Sequence, residues 1–509
     1  MPWDEPDRTI KTEAQPVRIE IEEADRRAAQ SYKKRLVKHN PRQPSSETRW
    51  TSKSKFFGGG ISGLAFAIAM GKSSNVSVEI YEAAPEFLSI GAGIGVWMRV
   101  WELLAKLGLA DDLRKKTASS TTPDPIEALI FRKSDQPEGV EFYKLVTNGP
   151  FITFHRHDFQ QTLIEHLPKN CRMYHSKRLS TYTNLPDGRI RASFEDGTQV
   201  TCDLLIGADG LKSAVRDGLL RQRASKHAAT GNYEAAYKCL ASNQPVWSGT
   251  MAYRALIPIE KVQKDLDKGN LTLEECHIQH VGKNANVIVY PVANGTMINF
   301  AAFYHQPSKV GTVFEGPWVS HAPKEELQAA YSNYESSVQA WLKFIDAPSR
   351  WAIHTIEKLE TYIGDGVVLI GDSAHAMVPH QGSGAGQGIE DGVFLANLLS
   401  NPSVTVRDIP RVLAVYDAIR KPFALEVARR SHLNGSLYTM NHPEFKDRIS
   451  RCSSKAEQEV VLQQLGEALK NNWEWAWNSS FDDCMEAGAV MLKKAMTSSD
   501  LNHGASAVL

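Results

Sequence analysis

Three groups of residues in this chain have the types and spacing for holding an extended, anionic ligand. The first is Gly58, Gly60 and Gly63 in GxGxxG spacing, followed by a small-residue helical stretch, a strand-like run at 76–81 and an acid at Glu82. Such glycines let a pyrophosphate approach a helix N-terminus, and an acid at that distance can bond a ribose. The second is Asp372, at the end of the apolar run 367–370, followed by the loop Pro379-His380-Gln381-Gly382-Ser383-Gly384-Ala385-Gly386. An acid at a strand end can accept hydrogen bonds from a sugar hydroxyl. The loop feeds a helical pattern with Ile389, Val393, Leu395, Ala396, Leu398 and Leu399, so free N–H groups and a positive dipole end face an anion or an electron-rich ring. The third is Asp209-Gly210, continuing to Ser213 and Arg216 in D-G-x-x-S-x-x-R spacing.

These groups need a scaffold of buried parallel strands that end where the motifs begin. The runs 204–207 and 367–370 are continuously apolar, as strands covered on both faces are. The strand before Gly58 is the exception. Residues 51–57 read TSKSKFF, and two lysines in the central strand of a parallel sheet are costly unless they escape to solvent. A more apolar run, PVRIEI, lies upstream at 16–21. Two readings stand side by side: residues 22–57 are an inserted segment, or 55–57 form a short, poor strand behind a disordered tail. Within 25–39 an exposed helix is the most the pattern supports.

Farther along, 182–199 reads as two polar-alternating strands around Pro186-Asp187-Gly188. Residues 240–350 read as strands near 251–257, 276–281, 287–290 and 297–303, with Arg254 and Tyr290 inside them. Residues beyond 405 read as helices, and Trp473, Trp475 and Trp477 cannot share one helical face, so some pack back on the body. Lys plus Arg equals Asp plus Glu at 58 each, which gives no global charge for nucleic acid or membrane. No run approaches the roughly 18 apolar residues of a membrane span. The N-terminal residues lack an apolar signal core, and the six cysteines have no paired spacing for metal or redox work, so a cytoplasmic protein with no metal site is expected.

Together the three motifs resemble those of the class A flavoprotein monooxygenases, the aromatic hydroxylases built like para-hydroxybenzoate hydroxylase and salicylate hydroxylase. The resemblance implies an α/β fold: a Rossmann-type FAD-binding domain, an interleaved β-sheet substrate domain and a helical C-terminal region. The corresponding boundaries are 58–240 with 351–400, then 241–350, then 401–509, with 1–57 as an atypical extension or insertion. It implies FAD held by Gly58, Gly60, Gly63, Glu82, Gly95, Arg156, Asp209, Asp372, Pro379, Gly384 and Ala385. Gly95 belongs to a flavin-covering loop, where Arg99 is a further candidate contact. Segments around Arg254 and Tyr290 resemble those of fungal monooxygenases acting on resorcinol-type phenols, where these positions hold a substrate phenolate. They also suit a cross-sheet arginine and a core tyrosine. The family's chemistry implies NADPH or NADH as a visiting reductant, O2, and a flavin C4a-hydroperoxide that hydroxylates a phenol, with decarboxylation or dearomatisation as outcomes. Alternatives are a flavin-fold protein impaired by its first glycine loop and a same-fold oxidoreductase on a non-aromatic substrate.

Overall fold

In a computed structural model of the chain, residues 53–71, 77–87, 93–269, 271, 273 and 277–497 are described. The candidate strand at 16–21 and the helix at 25–39 lie outside them. A six-stranded sheet runs in the spatial order Ile363–Gly364, Val367–Leu369, Leu204–Gly207, Lys53–Phe57, Ser77–Tyr81, Arg172–Tyr174. All neighbours in it are parallel except the first pair. Lys53–Phe57 therefore does form the strand before the glycines, with backbone partners on both sides. Phe57 sits opposite Gly207 on one neighbour and Tyr81 on the other. A ladder on both edges satisfies the strand's backbone whatever its side chains.

Helices cover this sheet. Ile61–Met70 follows the glycines, and the largely buried helix Gly384–Leu399 follows the second glycine loop. These two helices cross closely because the second carries glycines at the contact. A Cβ on Gly392 would stand 2.8 Å from the Ser62 carbonyl oxygen. The long helix Ile409–Tyr438 packs on Gly384–Leu399, then Lys455–Trp473 and Asp482–Thr497 complete the C-terminal region.

An eight-stranded sheet forms the second layer, in the order Val319–His321, Ser349–Thr355, Val246–Pro258, Met297–His305, Ala285–Val292, His277–Gly282, Pro125–Lys133, Val140–Asn148. The strands expected near 251–257, 276–281, 287–290 and 297–303 are all present within it. Residues 125–148 also belong to it, although they lie in the stretch read with the flavin motifs. Their pairing partner, His277–Gly282, is distant in sequence, so only the folded chain reveals it. The two strands expected within 182–199 form a small separate sheet as Leu179–Asn184, Ile190–Phe194 and Gln199–Cys202.

Candidate active site

The motif residues gather along the carboxyl ends of the parallel strands, where open α/β sheets bind ligands. Gly58 has φ +114°, and its N–H donates to the Tyr81 carbonyl at 2.9 Å. A Cβ there would meet the Ala208 carbonyl oxygen at 2.1 Å, so only glycine allows the two strand ends to approach. Gly63 is equally closed, 2.4 Å from the Gly58 oxygen, whereas a Cβ on Gly60 would meet nothing nearer than 4.0 Å. The helix that starts there has no side-chain cap, leaving its first N–H groups for an anion. Glu82 braces the loop: one carboxylate oxygen accepts from Gly59 N–H at 2.7 Å and the other from Ala84 N–H at 2.8 Å. Asp209 accepts from Ser213 and from the Val215 N–H (3.1 Å), fixing the start of Ala214–Ala229. Burial pushes its pKa up against those hydrogen bonds.

A cavity of about 300 Å³ lies between the strand ends and the eight-stranded sheet. Gly95, Arg156, Arg254, Tyr290, Asp372, Pro379, Gly384 and Ala385 all line it. Gly58, Gly60, Gly63, Glu82 and Asp209 do not; they stand at the neighbouring strand ends. Arg156 and Asp372 are exposed at the cavity and have no hydrogen-bond partner among the described residues. The helix Gly384–Leu399 opens onto the cavity without a side-chain cap.

The other wall is one face of the eight-stranded sheet. Arg254 pairs with Ala301 and Tyr290 with Asn299, so both project to the side that Asn299 and Ala301 share. Asn299 Oδ1 accepts from the Gly93 N–H at 2.9 Å, which leaves its amide N–H free to donate to the Tyr290 hydroxyl. Burial raises the Tyr290 pKa, while Arg254 and Asn299 oppose that. Arg254 is held below its ordinary value by burial, with Tyr290 opposing, and its Nε has no partner. A guanidinium remains charged under such a shift, so the wall offers a fixed cation with an unmet donor.

Arg99 departs from its expected role as a flavin contact. It is 3% exposed and engages Glu390 at 2.8 Å, with Ser479 and the Ser480 carbonyl as further acceptors. Glu390 and Asp391 both pair with the buried Arg420 at 2.8 Å, and Asp391 also accepts from His375 at 2.6 Å. Carboxylates on the flavin-loop helix left unpaired in the interior would be costly, which is why arginines converge there. Elsewhere, His227, Cys239 and Glu360 bring ligand-type atoms within 4.8 Å of one another, with both Glu360 oxygens gripped by Arg223.

Several lining residues escaped the sequence reading: Gln279, Asn286, Asn299, Phe303, Tyr438 and Trp473. The first four lie on the cavity face of strands whose register sequence does not give. Tyr438 and Trp473 come from the ends of C-terminal helices. Trp473 packs on Trp97, with ring centroids 5.0 Å apart, and on Trp477 at 6.4 Å, so the expected packing back onto the body occurs. His380 stands within the loop that drew attention, but nothing local marked its ring as cavity-facing.

Comparison with known proteins agrees with this architecture. The family described as FAD binding domain matches residues 56–254 and 307–431. Salicylate hydroxylase of Pseudomonas putida is 34% identical over 443 residues, covering 85% of this chain and 94% of that protein. The 6-methylsalicylate 1-monooxygenase of Aspergillus terreus is 28% identical, covering 71% of this chain and 78% of that protein. A solved salicylate hydroxylase substrate complex superposes with a TM-score of 0.70 at 29% identity, covering 86% of this chain and 98% of that one. The chain belongs to the FAD-binding-domain family, as a salicylate-hydroxylase-like, FAD-dependent class A monooxygenase.

Proposed function

We propose that the enzyme uses NAD(P)H and O2 to hydroxylate a phenolic aromatic, ortho to its phenol oxygen. One observation carries the reading: a half-buried cation with an unmet donor, Arg254, and the hydroxyl of Tyr290 share a cavity with the Asp372–Pro379 loop and an uncapped helix start. Relatives whose names specify hydroxybenzoate-type substrates support the substrate class. The reading of an impaired flavin fold loses its premise, because a strand does precede Gly58.

The cradle fits FAD. The open space at Gly60 and the first helix start suit a pyrophosphate, Glu82 a ribose, and the free ends of Asp372 and Arg156 the chain that follows. Gly95, Pro379, Gly384 and Ala385 would flank the ring, and Asp209 would fix the neighbouring turn. When bound and reduced by NAD(P)H, FAD supplies with O2 an electrophilic oxygen. The protein's own part is placement and charge. Arg254 favours the phenolate over the phenol, which makes the ring electron-rich. Tyr290, held by Asn299, donates to the same oxygen. Phe151, Tyr438 and Trp473 add aromatic surface to the cavity wall, against which a flat ring can pack. A carboxylate at the attacked carbon would leave as CO2, and an alkyl group there would leave a dienone. We assign 53–240 with 351–400 to the FAD domain, except that 125–148 joins 241–350 in the substrate domain, and 401–509 to a helical closure.

Among the described residues no helix is long and apolar enough to cross a membrane. Cys171, Cys239, Cys452 and Cys484 are free thiols, which suits a reducing cytoplasm. The test is NADPH and NADH oxidation by the flavin-loaded protein with salicylate and alkylated resorcinols, under 18O2. Phenol-stimulated oxidation with label in the product is expected. Flavin-loaded protein that neither responds to phenols nor labels them would overturn the reading.

A further inference from the structure

His227, Cys239 and Glu360 converge outside the active-site cavity, and none of them lines it. They come from three separate elements. His227 is on the helix Ala214–Ala229, Cys239 on the helix Tyr233–Ala241, and Glu360 on the segment that runs into the strand Ile363–Gly364. Nothing in their spacing along the chain marks them as a set. The two helices are joined by a tight turn in which Gly231 has φ +79° and Asn232 Oδ1 accepts from the Ala235 N–H at 3.1 Å. Ala224, Ala228, Ala236 and Cys239 cluster between them, so small side chains let the helices approach closely.

The three side chains are held in place by their surroundings and are short of partners of their own. The His227 ring is half-buried, and its Nε2 is buried with no hydrogen-bond partner. Cys239 is 5% exposed and a free thiol. Glu360 is fixed from two sides: Arg223, one helical turn before His227, donates from Nε to Oε2 at 3.0 Å and from Nη2 to Oε1, and Lys421 donates to its carbonyl. Each carboxylate oxygen keeps a second lone pair, so the arginine leaves room for a further contact. Oε2 stands 3.8 Å from His227 Nε2, too far for a hydrogen bond. Two ligands of a tetrahedral zinc, each about 2.0–2.2 Å from the ion, stand roughly 3.4 Å apart. An imidazole, a thiolate and a carboxylate suit Zn2+, whereas Mg2+ and Ca2+ take oxygen sets. Glu360 is exposed, which gives water access to a fourth position.

We propose that His227 Nε2, Cys239 Sγ and one oxygen of Glu360 bind a zinc ion that ties this helix pair to the segment leading to Asp372. On binding, the Cys239 S–H bond breaks, its electron pair goes to the ion and the proton goes to solvent. No oxidation state changes. The first helix begins at the Asp209–Ser213 turn, and its Arg216 donates to the Ser373 carbonyl at 3.0 Å. The Glu360 segment feeds the strands Ile363–Gly364 and Val367–Leu369, after which comes Asp372. The ion therefore braces, from outside the cavity, the two segments that carry Asp209 and Asp372. Its role is to stabilise the fold and not to take part in the oxidation.

The experiment titrates the full-length, FAD-loaded protein, first stripped of metal with a chelator, with Cd2+ and follows the ultraviolet thiolate-to-cadmium absorbance. One equivalent per chain is expected to bind with this band, Zn2+ should displace it, and the melting temperature should rise in Zn2+. Cys239→Ser should abolish the band. His227→Gln and Glu360→Gln should each weaken binding at least about tenfold. Flavin content without metal checks that each variant is folded, and if Cys239→Ser loses flavin, His227→Gln and Glu360→Gln decide by themselves. A band of unchanged affinity in Cys239→Ser would put the ion on another thiol. Unchanged affinity in both His227→Gln and Glu360→Gln would reduce it to an adduct of one thiol. A wild-type protein with no band, or with Cd2+ that Zn2+ fails to displace, would leave His227 and Glu360 as a surface ion pair. Any of these three results overturns the zinc site.

Discussion

At the residue scale, the site turns on how much charge one guanidinium can supply from a closed wall. Arg254 has neighbours of its own kind nearby in Arg156, yet only Tyr290 faces it as an acceptor among the groups that shift it. Replacing it with Gln keeps a donor and removes the charge. Hydrogen bonds to charged groups contribute about 1.5–3 kcal/mol, so Arg254→Gln should lower kcat/KM for the phenol about 10- to 100-fold. Flavin content should stay unchanged. Because the charge acts on phenol ionisation, the loss should be smallest for phenols that are already ionised at the assay pH. Steady-state kinetics over a series of phenols of graded acidity checks this. An equal loss across the series would mean that Arg254 positions the ring without setting its charge.

At the element scale, the helix Gly384–Leu399 is fixed by buried ion pairs rather than by its loop. Arg99 ties Glu390 to the helix Met98–Leu107, and Arg420 ties Glu390 and Asp391 to the helix Ile409–Tyr438. Burial pushes Asp391 up, but His375 and Arg420 together bring it from 3.8 to about 2. Arg420→Met leaves two buried carboxylates short of a partner, a change that costs about 3–5 kcal/mol. A carboxylate lowered in the folded state contributes stability above its unfolded value and loses it as pH falls through the folded one. The penalty should therefore be full above pH 3.8 and shrink as pH falls towards about 2. Urea unfolding of both proteins across that range measures it, and a penalty that ignores pH would show that Asp391 is not the group concerned.

At the scale of the whole molecule, the strand Lys53–Phe57 holds a central position between its two neighbours in the six-stranded sheet. The protein expressed in full should therefore carry stoichiometric flavin. Deleting 22–57 removes that strand, and the shortened chain should be colourless. The visible spectra of the two purified proteins decide between the strand readings. A yellow shortened chain beside a colourless full one would put the run 16–21 in the strand's place and make 22–57 an insertion.

The sequence by itself determined the parts that depend on backbone geometry close along the chain. Gly58 must be glycine because of its φ and the Ala208 oxygen beside it, and such constraints leave a spacing that can be read directly. The same holds for Asp372 and the Pro379–Gly386 loop, whose strand, turn and helix are consecutive. The central strand was ambiguous because side-chain polarity argued against it, whereas two neighbouring ladders satisfy its backbone. Tertiary structure alone decided which residues share the cavity. Asn286, Asn299 and Phe303 face it only because of strand register, which is set by pairing between strands and by the core beneath them. Tyr438 and Trp473 reach it only through the packing of helices from the C-terminal region.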